Sequence, residues 1–152
     1  MPRRKWASAL SGEPSSNASS FAIAQGIRAD LKAYQAVDQA LANGKGIGDV
    51  AIAGATQISN LLTDMKKKAI EGMHAGNTSD QQTILNADFE AMKAQFATFV
   101  SNASYNGKNL LQSTATTATV ISTISGGTLT ISSQSAIGNL SFGTLNNTNN
   151  AT

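Results

Sequence analysis

This sequence predicts a mainly α chain: an elongated bundle of three long amphipathic helices, followed by a β-hairpin and a disordered polar tail. Three observations carry that prediction. Apolar residues recur at steps of three and four over most of residues 20–112. Two runs rich in β-branched residues then flank a Gly-Gly pair. From Ser113 onward the chain holds no charged residue, and it closes on an Asn- and Thr-rich stretch. Four segments follow: an irregular one over 1–19, a helical rod over 20–112, a β-hairpin region over 113–145, and a disordered tail over 146–152.

In the first segment, Gly12-Glu13-Pro14-Ser15-Ser16-Asn17 reads as loop. Trp6, the single tryptophan, has no surrounding periodicity that places it. The first helix carries Ile23, Ile27, Leu31, Tyr34, Val37 and Leu41 on one face. Ser19 or Ser20 can cap its start, and Gly44 and Gly46 are expected to end it near Asn43. The second helix starts near Gly48 or Asp49. Its seam is Ala51, Ala55, Ile58, Leu62, Met65, Ala69 and Gly72, a heptad alternation of four and three. It ends around His74 to Gly76. The third opens on Ser79-Asp80-Gln81-Gln82, read as a capping box. Leu85, Phe89, Met92, Phe96 and Phe99 continue the seam. At 1.5 Å per residue the longer helices span about 35–40 Å each, which makes a rod. Tyr105, Asn106 and Gly107 then form a turn landmark, because Asn and Gly accept positive φ at little steric cost. The hairpin pairs Thr119–Ile124 with Thr128–Ser132 across Ser125-Gly126-Gly127.

Composition excludes several function classes. The 152 residues include no cysteine, so disulfides and thiolate metal sites are ruled out. A formal net charge of +2 is too slight to argue for nucleic acid, and no apolar run is long enough to span a bilayer. Only 13% of residues are charged, which suits close packing against copies of the same chain. No catalytic, cofactor-binding or metal-binding residue is assigned. His74 is the single histidine, with no nucleophile or carboxylate spaced to it, and at a helix end it meets the helix dipole instead. The acids Asp30, Asp38, Asp49, Asp64, Asp80, Asp88, Glu71 and Glu90 are scattered without a pair for acid–base work. Gly44-Lys45-Gly46-Ile47-Gly48 lacks the Gly-Lys-Ser/Thr ending of a phosphate loop and reads as an interhelical turn. Lys66-Lys67-Lys68 reads as a solvated helix face, with Lys67 paired to Glu71. Asn-x-Ser/Thr triplets, as at Asn17, Asn77 and Asn102, are expected by chance in a chain this rich in Asn, Ser and Thr.

Taken in order, Phe21-Ala22-Ile23-Ala24, Gly46-Ile47-Gly48, Ala75-Gly76-Asn77-Thr78 and Tyr105-Asn106-Gly107 before Leu110-Leu111 resemble the landmarks of the bacterial flagellin inner helical domain. In that family they run Leu-Ala-Ile-Ala, Gly-Ile-Ser, Asn-Gly-Thr-Asn and Phe-Asn-Gly before a Leu pair. The resemblance covers about two-thirds of the chain and implies an N-terminal part of a flagellin, similar to those of alphaproteobacteria. Two departures stand out. No long core-lining helix precedes Leu10, and nothing after Ser132 matches the family's returning helices. The expectation is therefore a piece shortened at both ends, with the Leu85–Phe99 stripe packed on only two other helices or left partly exposed, and the chain marginally stable or self-associating.

The resemblance implies a structural subunit of the flagellar filament, extracellular and serving motility, not an enzyme. The packing seam would be Ile27, Leu31, Tyr34, Ile58, Leu62, Met65, Leu85, Phe89, Met92, Phe96 and Phe99. Its implied partners are other flagellin subunits and a flagellar export chaperone, with no cofactor, nucleic acid or membrane insertion. A hook–filament junction protein is the alternative within motility, and a soluble non-assembling binding module the alternative outside it. The animal innate-immune receptor for flagellin reads Leu-Gln-Arg-x-Arg-Glu-Leu in stimulatory members. Here that stretch aligns with Leu62-Thr63-Asp64-Met65-Lys66-Lys67-Lys68, where an Arg has become Asp64, so weak or no recognition is implied.

Overall fold

The computed structural model describes residues 14–145. Helix α1 runs Pro14–Gly72 without interruption, 59 residues or about 90 Å at 1.5 Å per residue. Helix α2, Ser79–Asn102, returns antiparallel along its C-terminal half. Two short strands follow, β1 Ser104–Tyr105 and β2 Lys108–Asn109, closed by the two-residue turn Asn106-Gly107. A second antiparallel hairpin joins β3, Ala118–Ile121, to β4, Thr128–Ile131, with Val120 opposite Leu129. A single turn of helix, α3 Ser135–Gly138, precedes an extended segment that ends at Leu145.

The mainly helical rod with a β-hairpin is the fold the periodicity predicts, but the helix count is not. The expected break near Asn43 does not occur: Gly44, Gly46 and Gly48 are all inside α1. Glycine costs about 1 kcal/mol in a helix interior relative to Ala, so a tertiary gain must offset it. That gain is visible in the close approaches. A Cβ on Gly44 would lie 2.7 Å from Val120 Cγ2, and one on Gly46 would lie 2.7 Å from the Tyr105 ring. Gly54 stands likewise beneath Ala103 and Leu111, and Gly72 beneath Leu145. What reads locally as a stop signal is the face of α1 on which the rest of the chain is seated.

The start of α1 is a second correction. Pro14 to Ser19, expected to be irregular, are already helical, so neither Ser19 nor Ser20 is a cap. Proline is compatible with a first helical turn because its missing N–H has no intrahelical partner there in any case. Residues 1–13, with Trp6, and the tail 146–152 lie outside the described residues. The α2 cap is displaced by one residue from its expected place. Thr78 is the N-cap, accepting from the Gln81 N–H at 3.3 Å, while the Gln81 side chain accepts from the Thr78 N–H at 2.9 Å. That reciprocal pair satisfies two of the orphan donors of the first turn.

The core lies between the C-terminal half of α1 and α2. Ile58 (2% exposed), Leu61 and Met65 meet Phe89, Phe96 and Val100, and the cluster is closed by Leu110, Leu111 and Leu145. Of the two outcomes expected for the α2 stripe, the structure shows packing against α1, with part of the stripe still accessible. Phe89 and Phe96 are buried, with Leu85, Met92 and Phe99 half-buried against the same cluster. Part of the cover comes from the polar segment after the second hairpin. The Phe142 ring meets Phe96 edge-on at 5.0 Å, and the Gln82 side-chain amide donates to the Leu145 carbonyl at 3.1 Å.

Candidate assembly surface

Five exposed large apolar side chains fall in the first part of α1, and others, among them Ile52, Ile70, Met73 and Ile84, lie elsewhere on the helix pair. From Asn17 to Ala36 no residue of α1 is buried, and Val37 is the first that is. Within that stretch Ile23, Ile27, Leu31 and Tyr34 are 56–64% exposed. At 100° per residue these four fall within an arc of about 80°, one continuous stripe. Phe21, also exposed, lies off that arc. The periodicity that marks this face as a seam meets no covering partner among the described residues. Arg28 and Lys32 flank the stripe beside Leu31, with Asp30 on the same turn.

The other seam residues divide differently. Ile58 and Met65 are buried, Leu62 is half-buried, and the deeper neighbour is Leu61, which the heptad reading passed over. The turn landmark sits on the surface, with Asn106 at φ 48° and Gly107 at φ 76°. Tyr105 directs its ring onto α1 over Gly46.

Asn109 is the residue that sequence reading missed. It is 8% exposed and stitches the end of α2 to the segment that follows. Its Nδ2 donates to the Val100 carbonyl at 2.6 Å and to the Ser101 carbonyl at 3.4 Å. Its Oδ1 accepts from the Leu111 and Gln112 N–H groups at 2.8 and 3.1 Å. The available signal was a polar residue directly before an apolar Leu pair, a place where a buried amide needs a full set of partners.

Charge is arranged for structure. Lys68, not Lys67, is the paired lysine: its Nζ lies 3.3 Å from Asp88 on α2 and 3.4 Å from Glu71. The hydrogen bond to Asp88, followed by Glu71, holds its pKa above the usual 10.5, against the opposing effect of desolvation. Lys45 pairs with Asp49, and Lys93 with Glu90, each within its own helix. His74 Nδ1 accepts from the Gly76 N–H at 3.1 Å, which folds the interhelical turn back on itself. Among the described residues, no three His, Cys, Asp or Glu side chains are grouped as a metal site would require. None of the described helices is long and apolar enough to cross a membrane.

A helix with an exposed apolar stripe beside a packed helix pair has the geometry of a surface that packs against another apolar face. The sequence pattern described as the bacterial flagellin N-terminal helical region matches residues 11–116, which takes in α1, α2 and the first hairpin. The chain belongs to the flagellin family. It is 32% identical over 109 residues to a flagellin of Brucella melitensis, covering 72% of this chain and 38% of that one. It is 27% identical over 123 residues to flagellin FljO of Caulobacter vibrioides, covering 81% and 45%. Against flagellin D of Rhizobium meliloti it is 29% identical over 106 residues, covering 70% and 26%. All three are alphaproteobacterial flagellins, and the chain spans less than half the length of each.

Proposed function

We propose that this chain is a structural subunit of the bacterial flagellar filament, an extracellular motility component that acts by lateral helix packing and not by catalysis. The observation that carries the reading is the stripe Ile23, Ile27, Leu31 and Tyr34, exposed along a stretch of α1 in which no residue from Asn17 to Ala36 is buried. A soluble rod gains nothing by exposing such a stripe to water, whereas a subunit uses it against a neighbour. Other flagellin subunits are the partners this surface fits, with an export chaperone covering the same face before assembly.

Co-sedimentation with flagellin filaments tests the reading. Saturable recovery in the filament pellet is expected, with the chain alone remaining in the supernatant. Exclusion from the pellet would instead assign the chain to soluble partners. Weak recognition by the innate-immune flagellin receptor belongs to the same proposal. Thr63, Asp64, Lys66 and Lys67 are exposed on α1, and an acid at Asp64 stands where stimulatory members carry an arginine. Strong activation in a receptor reporter assay would contradict it.

A further inference from the structure

The tripeptide Asn-Gly-Lys occurs twice in this protein, at Asn43-Gly44-Lys45 and at Asn106-Gly107-Lys108. Identical in sequence, the two copies share one intrinsic chemistry, and the fold places them in opposite environments. Asn43 and Gly44 lie in the interior of α1, where α-helical geometry commits the Gly44 N–H to the carbonyl four residues earlier. Gly44 is buried besides, beneath the Val120 side chain. Asn106 and Gly107 form the whole of an exposed two-residue turn, both at positive φ. Nothing lies within 4 Å of the space a Gly107 Cβ would take, and no hydrogen bond engages its N–H among the described residues.

We propose that Asn106 is a self-modification site, converting through a cyclic imide to aspartate and isoaspartate, while Asn43 is held inert by the helix. The Gly107 backbone nitrogen, giving up its proton to hydroxide, adds to Asn106 Cγ and closes a five-membered ring. The bond between Asn106 Cγ and Nδ2 breaks, and ammonia leaves with a proton taken from water. Water then opens the ring at one of its two carbonyls. The product is either the ordinary aspartate or the isomer in which the backbone runs through the former side chain. The sum is amide plus water to acid plus ammonia, with no change of oxidation state. Glycine is the residue that permits the attack, since no Cβ shields its nitrogen. The isomer inserts a methylene into a turn whose register sets Tyr105 opposite Lys108, directly before the buried Asn109.

The test incubates the full chain in mildly alkaline buffer, native and in urea, and follows the tryptic peptides ending at Lys45 and Lys108 by tandem mass spectrometry. In the native protein, acid and isoaspartyl products are expected at Asn106 at least about tenfold faster than at Asn43, because the helix must open locally before Asn43 can react. In urea the two rates should converge, since the tripeptides are the same. Comparable native rates at the two sites would overturn the proposal. So would an Asn106 that stays intact in the native protein while reacting in urea.

Discussion

Asn109 is the side chain on which the end of α2 depends. Its amide serves two carbonyls of the last helical turn and two N–H groups of the following strand exit, and its bonds to Val100 and Leu111 are buried. Asn109→Ala is expected to lower unfolding free energy by about 1–3 kcal/mol, since buried groups are left without partners. Asn109→Asp separates donor from acceptor. It keeps the oxygen facing Leu111 and Gln112 but sets a carboxylate against the Val100 carbonyl. Its deficit in thermal melts should therefore be larger at neutral pH and shrink in acid, where the protonated carboxyl regains a donor. A deficit equal at both pH values would show that only volume matters there. Little of this was legible in the sequence, because the partners of Asn109 become neighbours only once α2 ends and the backbone turns at Asn106-Gly107.

The elements were legible to different depths, and the reason is range. The capping region of α2 and the strands β3 and β4 rest on local chemistry, so a window of a few residues announces them, although β3 ends at Ile121, three residues short of the expected Ile124, and the connection is correspondingly longer. The continuity of α1 rests on contacts to Tyr105 and Val120, far along the sequence, and local propensity at Gly44 and Gly46 points the wrong way. The segment ending at Leu145 has no period at all; Phe142 and Leu145 find their places only against a helix pair already formed. Glycine substitutions separate the two kinds of position. Gly26 has open space around it, so Gly26→Ala should stabilise by about 0.5–1 kcal/mol through propensity alone. Gly44→Ala carries the same local gain but meets Val120, so urea titrations should show it stabilising less than Gly26→Ala or destabilising. Equal gains at both sites would mean that the second hairpin is not seated on α1. The ion pair from α1 to α2, Lys68 with Asp88, adds a pH signature. Lys68 is held above its usual pKa by Asp88 and then Glu71, so its contribution is complete below about pH 10.5 and is lost as pH rises through the folded value. Melting curves of the parent and of Lys68→Met should accordingly converge in strong alkali and differ at neutral pH.

At the scale of the whole molecule, the rod is two structures joined end to end: a packed half with a closed core, and a bare helical half with an open stripe. Ile23, Ile27, Leu31 and Tyr34 repeat over eleven residues, a spacing close to the straight-helix period, so a partner helix could follow the face without strong supercoiling. Because these side chains touch little within the molecule, their role in folding and their role in association can be separated. Replacing Ile27 and Leu31 together by Gln removes apolar area from the stripe while leaving α1 good helix formers. The melting transition of the double variant should stay within about 0.5 kcal/mol of the parent, as exposed substitutions do. Recovery in filament pellets should fall sharply, and any concentration-dependent association of the protein alone, read by sedimentation velocity, should weaken in parallel. Undiminished co-sedimentation would move the assembly surface off this face of α1. A large drop in stability would mean instead that the stripe packs inside the molecule, and the bare half of the rod would then be a folded part of the core.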